Sequence, residues 1–225
     1  MRRCDVFKHM SHAGTSLNGG VLPVAGDDYG AYSLTLPNRS DHLFAASMIP
    51  MLYPQSVEEY LERGPHGFAM SRFAGLPIGF KALANTVESS SSIDAANELA
   101  IAFPPEVVAP SDGFHARLST DTLGVQARKQ EALMQDHKIY AAIAYARANR
   151  LNHVALDSPR ARPGIVASGK AYRDLLEALE EQGIDEVVAA RIGIRLFKVD
   201  ALPLEPNSIR EFADGLEEIL VDCNV

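Results

Sequence analysis

Apolar positions recur along this chain with two periods, and the switches between them mark its elements. The last third is clearest. Residues 153–156 and 164–167 are short apolar runs of strand length. Tyr172, Leu175, Leu176 and Leu179 then fall at i, i+3, i+4 and i+7, one face of a helix that should stop near Gly183. Residues 194–199 read as a strand. Ser208 with Glu211 makes a capping box, Ile209, Phe212, Ala213 and Leu216 repeat the helical spacing, and 219–221 closes as a strand. Strands alternating with helices at these lengths predict parallel pairing in an open sheet.

Upstream, the apolar run 19–25 after a glycine pair predicts a buried strand ended by the turn Gly26-Asp27-Asp28. Ser56 with Glu59 is a second capping box, opening a helix that should break at Gly64-Pro65 and resume beyond it. Residues 77–83 and 98–103 predict strands. Pro104, Pro105, Pro110 and Gly113 make a loop, with a domain boundary between it and Thr120. From 122 to 149 the chain reads as one long helix, carrying five alanines between Ala141 and Ala148. The predicted class is α/β: two open, mainly parallel sheets flanked by helices, divided into residues 1–118 and 119–225.

Composition narrows the function. A net charge of −8 argues against nucleic acid and anionic membrane, both of which need clustered Lys and Arg. No run approaches the roughly 18 apolar residues of a membrane span, and no apolar stretch follows Arg2-Arg3 as in a signal peptide. The two cysteines, Cys4 and Cys223, give no disulfide framework and point to a reducing, cytoplasmic setting. An iron–sulfur cluster usually takes four thiolates, which this chain cannot supply.

Several patterns carry candidate chemistry. Gly164-Ile-Val-Ala-Ser-Gly-Lys-Ala nearly spells a phosphate loop, but Ala171 stands where Ser or Thr would hold Mg²⁺. A strand running into a helix at Ser168-Gly169 explains it without a ligand. His9 and His12 share one helical face near Cys4, too few ligands for zinc, so no metal site is expected. Gly14-Thr15-Ser16, Gly19-Gly20, Asp27-Asp28, Ser33, Thr35, Ser40 and Asp41 gather around one strand. They suit either a ligand at its carboxyl end or a cluster of turns. Arg160 and Arg162 form a short basic loop that suits an interdomain contact.

Longer words carry a resemblance. Asp5-Val-Phe-Lys-His, Ala13-Gly-Thr-Ser, Ala25-Gly-Asp-Asp, Thr35-Leu-Pro and Ser40-Asp-His look like indolepyruvate ferredoxin oxidoreductase, specifically the thiamine-dependent, alpha-type part of its large fused bacterial form. So do Ser71-Arg-Phe, Gly79-Phe-Lys, Thr86-Val-Glu-Ser-Ser, Asp157-Ser-Pro-Arg-Ala-Arg, Gly169-Lys-Ala-Tyr, Gly193-Ile-Arg-Leu-Phe-Lys-Val and Gly215-Leu-Glu-Glu-Ile-Leu. They run in order from about Asp5 to Val221.

The resemblance implies an enzyme that decarboxylates arylpyruvates on thiamine diphosphate with Mg²⁺. Electrons pass through iron–sulfur clusters to ferredoxin, and coenzyme A takes the acyl group. It also implies a partial pyrimidine-binding domain followed by a transketolase C-terminal-like domain. On matched positions Thr15, Ser16 and Ser33 would face the substrate. Asp27, Asp28, Thr86 and Ser89 would face the cofactor. No catalytic residue can be assigned, because the family's catalytic glutamate lies upstream of the match and its Mg²⁺ motif and cluster cysteines lie elsewhere. The chain is expected to begin mid-domain and to stop short of the family's tail. Tyr29, Tyr32, Leu34, Asn38 and Arg39 depart from the family at the polar loop. The expectation is therefore a segment inactive without the remaining domains or subunits, or else a truncated or decayed non-catalytic paralogue serving as a binding or assembly module. Unpaired strand edges would favour a homo-oligomer.

Overall fold

The computed structural model describes residues 2–33, 35–93, 99–115 and 123–222. Its elements run α1 (Arg2–Ala13), β1 (Val24–Asp27), α2 (Asp41–Ala46), β2 (Met51–Leu52), α3 (Val57–Ala74), β3 (Gly79–Leu83), α4 (Ala84–Val87), α5 (Leu123–Leu133) and α6 (Ile139–Ala148), the last two joined by a π-helical turn over Met134–Lys138. Then come β4 (His153–Leu156), β5 (Pro163–Ser168), α7 (Gly169–Glu181), α8 (Glu186–Ile192), β6 (Arg195–Val199), β7 (Ala201–Leu202), α9 (Pro206–Ala213) and β8 (Glu218–Asp222).

The strands form two four-stranded sheets, ordered β1-β3-β2-β7 and β4-β6-β5-β8. In each, three strands are parallel and one edge strand, β7 or β4, is antiparallel. This is the expected α/β class with two open, mainly parallel sheets. The antiparallel pairing of β4 was not legible in the helical spacing.

The first sheet is covered on both faces. On one, Phe7, Met10 and Phe44 pack with Met51 and Ala25. On the other, Leu52, Ile78 and Phe80 meet Met70 and Ala74 of α3 and Ala141, Ala142 and Tyr145 of α6. Each fully buried side chain of Leu or Phe size contributes about 2 kcal/mol. The long alanine-rich helix thus completes the core of the first sheet rather than only linking two units. In the second sheet, Tyr172 of α7 packs on Ala167 and Leu196. Phe212 of α9 packs on Val166 and Phe197 from the opposite face. The helical faces read from Tyr172–Leu179 and Ile209–Leu216 are the ones that are buried.

Some expectations fail for local reasons. The strand read at 19–25 is shifted to Val24–Asp27, because Pro23 has no N–H for the ladder. The Val21 and Pro23 carbonyls still accept from Ile78 and Phe80. It is also an edge strand, with Val24 65% exposed, not a buried one. Helix α3 does not break at Pro65 but runs on to Ala74, held by the burial of His66, Gly67 and Met70. It ends at Gly75, φ +68°, where a Cβ would stand 2.4 Å from the Phe114 carbonyl oxygen. Residues 99–103 are not a strand, and Glu98 lies outside the described residues. Helix α9 opens at Pro206, with its cap at Glu205, three residues before the predicted cap Ser208. Arg162 pairs with Glu217 of its own unit at 2.7 Å.

The two sheets are joined intimately. After β6 the chain crosses over, and β7 pairs antiparallel with β2, so the first sheet ends in residues from beyond position 200. The Tyr53 N–H donates to the Asp200 carbonyl at 2.8 Å. Asn152 accepts from the N–H groups of Asp200 and Ala201.

Candidate functional site

In open α/β sheets ligands gather outside the carboxyl ends of the strands. In the first sheet that edge is formed by Asp27, Leu52 and Leu83, the last residues of β1, β2 and β3. A buried charge cluster lies there. Lys81, on the central strand and 1% exposed, points its ammonium at the Asp27 carboxylate, 3.1 Å away. The Asp41 carboxylate, at the start of α2, lies 2.5 Å from the same nitrogen. Lys81 also donates to the Tyr29 hydroxyl and sits 4.5 Å from the centre of the Tyr53 ring. The Arg39 guanidinium also lies over the Tyr29 ring, 4.8 Å from its centre.

These contacts set the protonation of the phenols. Burial pushes Tyr29 up to about 12, a rise that Asp41 and Asp27 reinforce. Burial likewise raises Tyr53. Both therefore stay protonated near neutral pH. The Tyr29 oxygen accepts from Lys81 and from the Tyr53 hydroxyl, 3.2 Å away, so its own proton remains to be donated outward. Asp27 Oδ1 and Asp41 Oδ2 are buried without a partner. The edge thus holds one hydroxyl donor and two carboxylates around an ion-paired lysine.

The residues singled out from sequence fall at opposite ends of the sheet. Asp27 accepts from the N–H and hydroxyl of Ser40 at 3.1 and 2.9 Å. Asp28 accepts from the N–H groups of Tyr32 and Ser33, at 3.0 and 2.6 Å, and from the Ser33 hydroxyl. These two carboxylates pin the loop after β1 at the carboxyl edge, with Ser33 tied down in it. Thr86 and Ser89 follow the neighbouring β3 and line a groove of about 650 Å³, shared with Ser56, the cap of α3, and with Lys170 and Arg173 of α7. Thr15 and Ser16 lie elsewhere. The Thr15 hydroxyl donates to the Ser71 carbonyl at 2.9 Å and its N–H to Gly75. Both partners precede β3, so this turn is at the amino end of the sheet. At about 3.3 Å per residue, the length of β3 separates it from Asp27. The structure does not bring Thr15 and Ser16 into one pocket with Asp27, Asp28, Thr86 and Ser89.

Sequence reasoning gave no role to Lys81 or Tyr53 and marked Tyr29 only as a departure in the polar loop. The available signal was a lysine inside an otherwise apolar strand, since Lys is almost never fully buried unless paired. The other weighed motifs resolve simply. Lys170 pairs with Asp174 one turn along α7, and the glycine before it, φ +50°, lies against the Tyr53 ring, 2.2 Å from where a Cβ would stand. His12 bonds the Lys8 carbonyl, and His9 lies 3.6 Å from Asp5.

A second buried cluster fills the joint between the units. Lys198, on the central strand of the second sheet, is 3% exposed and bonds Glu59 of α3 and Asp200, the latter at 3.1 Å. Arg63 reaches the same Asp200 oxygen at 2.8 Å. Burial raises Asp200, which the charges of Lys198 and Arg63 oppose. Burial acts upward on Glu59 too, but Lys198 outweighs it and holds that carboxyl low.

Comparison with known proteins fits this architecture. Residues 152–224, spanning all of the second sheet, match the indolepyruvate ferredoxin oxidoreductase middle domain. The chain is 25% identical over 218 residues to the indolepyruvate oxidoreductase subunit IorA of Methanothermobacter thermautotrophicus, covering 94% of this chain. It is 24% identical to that of Methanothermobacter marburgensis. The chain thus resembles the indolepyruvate ferredoxin oxidoreductases. The chain spans 32% of the length of those IorA subunits. In fold it is similar to a 2-oxoglutarate:ferredoxin oxidoreductase from Magnetococcus marinus, solved with 2-oxoglutarate, coenzyme A and succinyl-CoA, with a TM-score of 0.60 at 12% identity. That likeness covers 97% of this chain and 43% of the other.

Resemblance to indolepyruvate ferredoxin oxidoreductase would imply thiamine diphosphate with Mg²⁺, and the donor set can be tested against that group. Among the described residues no three His, Cys, Asp or Glu side chains converge to hold a metal. Asp27 is engaged by Lys81 and Ser40, and Asp28 by its own loop. The described residues do not fit a metal-bound diphosphate. Among them, too, no helix is long and apolar enough to cross a membrane.

Proposed function

We propose that the chain is a segment of an indolepyruvate-type 2-oxoacid:ferredoxin oxidoreductase, one that works only together with the enzyme's remaining domains or subunits. The overall reaction is the oxidative decarboxylation of an arylpyruvate to an aryl-acyl-CoA with ferredoxin as electron acceptor. Thiamine diphosphate carries the carbanion chemistry of such enzymes. The observation that carries the reading is the family match over residues 152–224 on a sheet locked by buried charges to the first one. The carboxyl edge of the first sheet then forms one wall of a cleft. Asp27 and Asp28 fix the loop holding Ser33, Thr86 and Ser89 face the groove toward α7, and Tyr29 offers its hydroxyl. The metal-bound diphosphate, the clusters and the catalytic glutamate fall to other segments.

The test is arylpyruvate- and coenzyme A-dependent reduction of ferredoxin, measured with the chain alone and with the remaining segments added. Turnover only in the mixture supports the reading. Turnover by the chain alone, or the same rate with the chain left out, would sink it. The second reading, a non-catalytic relative acting as a binding or assembly module, is favoured by one observation: Tyr29, Tyr53 and Lys81 fill the sheet edge from within. It predicts that the chain associates with the other segments yet leaves the rate unchanged.

A further inference from the structure

The Lys81 cluster holds an amine and two carboxyl groups in contact, away from water. The Lys81 nitrogen is 2.5 Å from Asp41 Oδ1 and 3.1 Å from Asp27 Oδ2, and the three side chains are 1%, 14% and 0% exposed. The rings of Tyr53 and Tyr29 wall the nitrogen in, their centres 4.5 and 5.0 Å away. Asp27 Oδ2 is held by the N–H and hydroxyl of Ser40. The other oxygen of each carboxyl, Asp27 Oδ1 and Asp41 Oδ2, is buried with no hydrogen-bond partner among the described residues. A buried ion pair offsets its desolvation only when further hydrogen bonds engage the remaining lone pairs. Here both acids leave one oxygen unengaged, which suits an acid that relays a proton and an acid that gives up an oxygen.

Groups fixed in contact react with effective molarities of about 10⁵–10⁸ M. Condensation of an amine with a carboxyl group also needs protons carried from the nitrogen to the departing oxygen, which a third acid beside them can do. We propose that Lys81 and Asp41 condense into an intramolecular isopeptide bond, with Asp27 as the proton relay. Asp27 takes one proton from the Lys81 ammonium and passes it to Asp41 Oδ2. The freed amine attacks Asp41 Cγ, and the N–C bond forms. A second proton passes from the nitrogen through Asp27 to Oδ2, the C–O bond breaks, and Oδ2 leaves as water. The nitrogen keeps its third proton, Asp27 ends as the carboxylate it began as, and nothing is oxidised or reduced. The bond ties the start of α2 to the central strand β3 and is independent of the activity discussed above. The Lys198 cluster has the same composition but is less suited, because Arg63 already donates two hydrogen bonds to Asp200, the acid that would carry protons there.

The test is the intact mass of the full chain, purified folded and then denatured. It should be lighter than its sequence by one water, and a tryptic digest should contain the Lys81 and Asp41 peptides joined, with no cleavage after Lys81. Lys81→Met and Asp41→Ala should each restore the mass of their sequence. Asp41→Asn should form the same bond with ammonia as the leaving group, and so be lighter by one ammonia. Asp27→Asn should keep Lys81 and Asp41 but leave them unjoined. Circular dichroism establishes which variants fold, and the parent's own mass decides the matter if none does. A parent chain with the full mass of its sequence would overturn the proposal. So would a water loss that persists in Lys81→Met, since a succinimide at Asp112-Gly113 or Asp214-Gly215 would then account for it. A bond that still forms in folded Asp27→Asn would remove Asp27 as the relay.

Discussion

Buried lysines divide into two kinds here, and the difference is whether a carboxylate comes with them. Lys81 and Lys198 each face two. Lys138, in the π-helical turn, is 1% exposed and has none among the described residues; its ammonium donates to the Gly75 carbonyl at 3.1 Å, beside the Gly14–Thr15 turn. Burial therefore pushes it down to about 8. The unfolded chain holds this proton to about pH 10.4. Below pH 8 both states are protonated and the burial penalty is fully felt. Between about 8 and 10.4 the unfolded chain binds a proton that the folded chain has lost, so stability should rise with pH across that window. In Lys138→Met this contribution disappears, and the advantage of the variant over the parent should shrink as pH goes from 7 to 10. Urea midpoints of both proteins at several pH values check it; parallel curves would mean that Lys138 folds with its charge unperturbed.

Among the elements, helix α9 shows best what a local pattern can and cannot say. Ser208 and Glu211 have capping-box spacing, yet the helix begins at Pro206, suited to the first turn because it lacks an N–H. Glu205 is the cap. Its carboxylate accepts from the N–H groups of Asn207 and Ser208, at 3.0 and 2.6 Å, and from the Ser208 hydroxyl. Glutamate is not a usual capping residue, so short-range rules pass over it. Glu205→Ala should cost about 1 kcal/mol, whereas exposed Glu211→Ala should cost under about 0.5 kcal/mol; equal shifts of the urea midpoint would restore the predicted box. The same limit applies elsewhere. The α7 and α9 faces and strand 153–156 were legible because one period buries one face. The small β7 was not, because its pairing with β2 is decided by the crossover after β6, and the reversed β4 was not, because its direction is set by pairing with the distant β6. At the site, the turn residues around Asp27 and Asp28 were legible as a polar cluster. That Thr15 belongs to the other end of the sheet is a fact of topology, invisible in a stretch that runs continuously from Gly14 to Asp41.

At the scale of the whole molecule, each sheet carries one buried lysine on a central strand, and the two clusters do different work. The Lys81 cluster closes an edge within the first unit. The Lys198 cluster crosses between units, since Glu59 and Arg63 belong to α3, Lys198 lies in β6 of the second sheet and Asp200 follows that strand. Its four charges balance: two carboxylates against an ammonium and a guanidinium. A buried pair of this kind need not stabilise relative to apolar residues, but losing one partner leaves a charge without compensation, at about 3–5 kcal/mol. Lys198→Met should therefore lower stability by about that much, because Glu59 and Asp200 would then share Arg63 alone. Adding Glu59→Gln removes the surplus negative charge, and the double variant should regain a substantial part of the loss although it lacks one more native contact. Urea denaturation of the parent, Lys198→Met and the double variant separates charge balance from contact number. A double variant no more stable than Lys198→Met would show that the joint is held by specific contacts, and that its charges need not sum to zero to keep the two sheets together.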